Sequence, residues 1–122
     1  MTKIELDKVG FLQKLASSTL SRAATIGLEV RKARLSPEAS LCCTAIVTEV
    51  TDSLIDIKES LDWLTRAQDS ESLTKALFLC TIARATARIT HNGTLLNEAT
   101  QIIDGGIDIW GKPTPRGGLW DK

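Results

Sequence analysis

Apolar residues recur at Cys43, Val47, Val50, Leu54, Ile57, Leu61 and Leu64, alternately four and three apart over three heptads. In an α-helix this spacing makes one unbroken stripe about 30 Å long, whereas a strand would scatter the same residues over both faces. A stripe of that length has to be covered by other helices, so it commits the chain to an all-α fold. Its start is also written in the sequence. Ser36 is a natural N-cap, Pro37 suits the first helical position, and Glu38 faces the positive end of the helix.

The rest of the chain reads in the same way. Thr2 followed by Glu5 has the form of a capping box, opening a helix from about Ile4 to Arg34. Its seam, Val9, Leu12, Ala16, Thr19, Ala23, Ile26, Val30 and Ala33, is rich in small residues and admits a close neighbour. Gly10, Gly27 and Ser17-Ser18-Thr19 weaken this helix. Gln68-Asp69-Ser70 ends the second helix and is expected to cap a third, with Leu73, Ala76, Leu77, Cys80, Ala83 and Ala87 on one face. His91-Asn92-Gly93 has the look of a helix stop. Thr94 then opens a fourth helix through Leu95, Leu96, Ala99, Ile102, Ile103, Ile107 and Trp110. Gly105-Gly106 inside it implies a backbone passing close by. Short connections between long helices favour antiparallel neighbours. The expected fold is therefore an antiparallel up-down four-helix bundle over residues 1–111. Three long helices, with Gly93 absorbed, are the alternative.

Residues 112–122 cannot be helix. Lys112-Pro113-Thr114-Pro115-Arg116 favours an extended path, Gly117-Gly118 a hinge, and Leu119-Trp120 an apolar anchor. The tail is expected to cap its own bundle, to dock on another subunit or partner, or to stay unstructured with Trp120 exposed, and Trp is a common interface anchor. The candidate contact residues are Trp110, Pro113, Pro115, Arg116, Leu119 and Trp120.

Composition narrows the function classes. The chain has 122 residues, one domain by size, with 43% hydrophobic but only 4% aromatic residues, so its interior must be aliphatic. Fifteen basic and fifteen acidic side chains cancel, which removes the basic footprint of a nucleic-acid binder. The charges are uneven, however: residues 1–36 carry seven basic and three acidic side chains, residues 37–66 two and six. Segments so charged are expected to pack side by side. No apolar run approaches the ~18 residues of a membrane span. Three cysteines without an apolar leader point to the cytoplasm. Cys43 and Cys80 are expected in the interior.

Two constellations can be read as chemistry. Glu49, Asp52, Asp56 and Glu59 stack on one face of the second helix, and Asp62 extends the row. A solvated or Arg-paired face is one reading, and a Mg²⁺ site the other. Glu49-Val-Thr-Asp52 resembles half of the pattern with which all-α nucleotide pyrophosphohydrolases hold Mg²⁺ against phosphates, and that likeness implies Mg²⁺ as cofactor. Arg84 and Arg88, one turn apart, can grip phosphate or pair with the acids of the second helix. His91 has no evident nucleophile or orienting partner for general-base work. There is no phosphate loop, nucleophile elbow or dinucleotide fingerprint.

Asp104-Gly-Gly-Ile-Asp-Ile-Trp110-Gly-Lys112 is similar to the end of the last helix in the four-helix accessory proteins of diversity-generating retroelements. That resemblance implies a ring oligomer assisting a reverse transcriptase on RNA. The residues themselves favour a different class, a non-enzymatic cytoplasmic bundle that forms a homo-oligomer or binds a protein partner. The Mg²⁺-dependent hydrolase and the nucleic-acid accessory bundle are its alternatives.

Overall fold

The computed structural model describes residues 2–105, which form three α-helices and no strand: α1 (Lys3–Lys32), α2 (Pro37–Arg66) and α3 (Lys75–Gly105). The contact residues expected in the tail, from Trp110 to Trp120, lie outside the described residues.

Each helix begins on a local device. At α1 the Thr2 hydroxyl accepts from the Glu5 N–H at 3.2 Å, and the Glu5 carboxylate accepts from the Thr2 N–H at 2.9 Å, so the capping box is complete. At α2 the Ser36 hydroxyl accepts from the Ala39 N–H, with Pro37 at the first position. α3 starts later than expected. Ser70 lies in the connecting loop, where its hydroxyl accepts from the Ser72 N–H, and Thr74 is the side chain that accepts from the Leu77 N–H.

The helices run up, down and up. Gln13 meets Asp62, Gly27 faces Val47, Ser53 meets Asn92 and Arg22 meets Asn97, pairings that only this order allows. The interior is aliphatic. The α2 stripe is buried as its spacing demands, with Cys43, Val50, Leu54, Leu61 and Leu64 fully inside and Val47 at the margin. From α1 come Val9, Leu12, Ala16, Ala23, Ile26 and Val30. A β-carbon on Gly27 would sit 3.5 Å from Val47, so α1 and α2 are close there.

α3 departs from the expectation in two ways. First, the stop at His91-Asn92-Gly93 is not taken, and the helix continues through all three residues. The described chain therefore has three helices, not four. Gly93 costs on the order of 1 kcal/mol inside a helix. Burial of Ile89 before it and Leu96 and Ala99 after it outweighs that cost. Thr94 does not cap anything; its hydroxyl donates back to the Thr90 carbonyl. Second, the buried face is rotated from the expected one. Phe78, Ala85, Ile89, Asn92 and Leu96 point inward, while Ala76, Leu77, Cys80, Ala83 and Ala87 are exposed. Nor is Gly105 a close-packing point, since a β-carbon there meets nothing within 4 Å among the described residues.

Candidate functional site

The face between α2 and α3 holds a groove of about 500 Å³. The helical period builds it. Asp56, Ser60 and Trp63 on α2, and Leu77, Thr81, Arg84 and Arg88 on α3, follow four- and three-residue steps and so face one another across the seam. One end is apolar, with Trp63, Leu77 and Cys80. The other is ionic. Arg88 Nη1 donates to Asp56 Oδ2 at 2.6 Å, and Arg84 Nη2 lies 3.7 Å from the same oxygen. These groups are half in solvent, so the pairing is worth less than about 1 kcal/mol.

The two arginines singled out from the sequence are therefore brought together with one member of the acidic row. The row itself is divided. Asp56 is engaged by arginine, Glu59 borders the groove, and Glu49 borders a second depression higher on the same face. Asp52 is exposed, and Asp62 turns the other way to accept from Gln13 of α1 at 2.8 Å. Among the described residues no group of three His, Cys, Asp or Glu is placed to hold a metal ion. The ion pairs among the described residues join α2 to α3, so the opposite charges of residues 1–36 and 37–66 do not meet as pairs.

The upper depression, of about 440 Å³, is lined by Leu41, Cys42, Ala45, Ile46 and Leu95, with Glu38 and Glu49 at its edge. Leu41 leaves 72% of its surface exposed.

A third surface escaped the sequence reading. Phe11, Leu15, Ser18 and Arg22 share one side of α1, and Leu79, Ala83, Thr86, Thr90, Gly93 and Asn97 one side of α3. The Arg22 guanidinium donates to the Asn97 carbonyl oxygen, which fixes these two sides as neighbours. The resulting α1/α3 face exposes Phe11 by 64% and Leu79 by 52%, and Leu15 lies one turn beyond Phe11 on the same side of α1. The signal in the sequence was Phe11, one of only two phenylalanines, standing two residues from the Val9 seam position.

The cysteines divide by environment. Cys43 is wholly buried, and its thiol lies 3.8 Å from the Ala99 carbonyl. Desolvation, helped by the neighbouring Cys42, pushes its pKa up to about 11. It is therefore a neutral thiol and no nucleophile. Cys80, expected inside, is exposed on the groove. His91 is exposed in the middle of α3 and not at a helix end. No helix among the described residues is long and apolar enough to cross a membrane. No protein family, curated protein or solved structure matches this chain.

Proposed function

We propose that this is a non-enzymatic, cytosolic helical-bundle protein that works by contact with another polypeptide, in the first place a second copy of itself. The observation that supports this reading is the α1/α3 face, where Phe11, Leu15 and Leu79 stand in solvent. An aromatic and two leucines on one side of two adjacent helices form the apolar centre typical of an interface. The α3 side of the face continues through Ala83, Thr86, Thr90 and Gly93, small enough to let a helix approach closely. Apart from Arg22 these positions carry no charge, so the same patch can meet its own copy without repulsion. An isologous dimer requires such a patch. Asp56, the acid nearest the centre of the row, is held by two arginines, which removes support from both the Mg²⁺ reading and the phosphate reading of Arg84 and Arg88.

The test is sedimentation or light scattering of the full chain across a concentration series. The wild type is expected to be dimeric at high concentration. Phe11→Asp and Leu79→Asp are expected to leave it monomeric with unchanged helical circular dichroism. A wild type that stays monomeric throughout removes the self-association reading.

A further inference from the structure

The opposite charges of α1 and α2 stand on outward sides of neighbouring helices, where they cannot satisfy each other. On α1, Asp7, Gly10, Lys14, Ser21, Leu28 and Arg31 recur at steps of three, four and seven and so share one side. That side is turned away from the buried Val9 seam, and Leu28 on it is 54% exposed. On α2, Glu38, Leu41, Asp52, Ile55, Glu59 and Arg66 share a side in the same way, all six exposed and opposite the buried stripe. The side chains of Asp7, Lys14, Arg31, Glu38, Glu59 and Arg66 make no hydrogen bond or ion pair among the described residues.

The two sides belong to one α1/α2 face. Gln13 of α1 donates to Asp62, which stands between Glu59 and Arg66 on α2. Their heights are also fixed. The helices are antiparallel, with Gln13 level with Asp62 and Gly27 level with Val47. Asp7 therefore lies at the height of Arg66, and Lys14 near that of Glu59. Ser21 lies between the heights of Asp52 and Ile55, and Arg31 near that of Leu41, one turn from Glu38. Each charge on α1 has its opposite on α2 at nearly the same height, beside it and pointing the same way.

We propose that this α1/α2 face binds the same face of a second copy, about a two-fold axis parallel to the helices. Such an axis keeps every residue at its height and exchanges α1 for α2, so α1 of one copy lies antiparallel on α2 of the other. Lys14 then meets Glu59, Arg31 meets Glu38 and Asp7 meets Arg66, each pair formed twice. The sign reverses at Asp7, and it reverses on both helices. Ile55, 46% exposed, falls at Ser21, where α1 carries little bulk. Leu28 and Leu41 fall at the same upper end of the contact and supply its apolar part. Complementary charge fixes the register of such a contact and steers it. The contact does not involve Phe11 or Leu79, so a chain using both faces can assemble beyond a dimer.

Salt separates the two contacts. Exposed ion pairs are screened, so the α1/α2 contact is expected at about 20 mM salt and lost at about 0.3 M, the condition in which the Phe11 and Leu79 variants are read. The test is sedimentation of the Leu79→Asp chain at low salt, compared with the same chain carrying K14E/R31E or E38K/E59K. Circular dichroism checks that each chain is folded. The Leu79→Asp chain is expected to dimerise at low salt and to separate at high salt. Each charge-reversed chain alone is expected to associate at least about ten-fold more weakly. Mixed in equal amounts, the two are expected to pair one to one, because an acidic face then meets a basic one. A Leu79→Asp chain that stays monomeric at low salt overturns the proposal. So does equal association of all three chains, or a mixture that fails to pair. The Phe11–Leu79 contact stands or falls separately, on the wild type at high salt.

Discussion

α2 and α3 are nearly equal in length, yet they use their apolar residues differently. In α2 one regular stripe runs from Cys43 to Leu64 and is buried, with Val47 at its margin, while Leu41, Ile55 and Trp63 stand apart from it in solvent. In α3 they are distributed around the helix. Phe78, Ile89, Leu96, Ile102 and Ile103 face inward, while Leu77 and Leu79 face out on opposite flanks. One flank meets α2 and the other α1. α2 thus defines the interior, whereas α3 completes the interior and also supplies both candidate surfaces. The buried stripe of α2 is regular enough to be specified by packing, whereas the inward residues of α3 are selected only by contact with its neighbours.

That contrast can be broken at several points. The largest effect is expected from truncating the α2 stripe. Leu61→Ala should cost about 2–5 kcal/mol in urea unfolding, and Leu77→Ala on α3 under about 1 kcal/mol. Similar losses for the two would mean that the α3 flank is structural after all. Next is Asn92, buried and donating to Ser53 Oγ at 3.1 Å. Asn92→Ala should cost about 1–3 kcal/mol by stranding the serine, and adding Ser53→Ala should recover part of it. A fully additive double variant would show that the two side chains do not act as a pair.

Cys43 gives a pH signature. Its folded pKa of about 11 lies above that of an unfolded thiol, so the unfolded chain ionises first as pH rises. The stabilisation is complete below the unfolded thiol value of about 9 and is lost as pH climbs to about 11, a fall on the order of 3 kcal/mol. Cys43→Ala should flatten that part of the profile, and an unchanged profile would rule the thiol out as its source. The smallest effect expected is a gain. Gly93 is helical and a β-carbon there meets nothing within 4 Å in the single chain, so Gly93→Ala in the monomeric Leu79→Asp background should stabilise by about 0.5–1 kcal/mol. A loss instead would mean that something approaches α3 at that residue.

The same contrast explains what the sequence reveals and what it hides. The α2 stripe, its Ser36 cap and the Thr2 capping box are legible because each depends on residues within one or two turns. The phase of α3 is not. Leu77, Phe78, Leu79, Cys80 and Ile82 present apolar groups in nearly every direction, and only contact with α1 and α2 selects Phe78. Asn92-Gly93 carries the local chemistry of a stop, but tertiary burial on both sides overrides it. Threonines 81, 86, 90, 94 and 100 hide the same helix further. They count against helix by propensity, yet each returns its hydroxyl proton to a carbonyl one turn back. Pairing of Arg84 and Arg88 with Asp56 could be anticipated from charge. The Phe11–Leu79 surface could not, because it exists only once α1 and α3 are neighbours.

The Ser53–Asn92 contact sits on the α2/α3 seam, between its two depressions. A slip of α3 by one turn, about 5.4 Å, would carry the amide away from the hydroxyl and leave both among aliphatic side chains. Neighbouring rungs of the α2/α3 seam offer leucine and isoleucine in their place. The pair therefore acts as a detent, admitting one axial setting of the two helices and penalising the next. The spacing of the two depressions is fixed by it, so whatever lies along this face meets a ruler with constant marks.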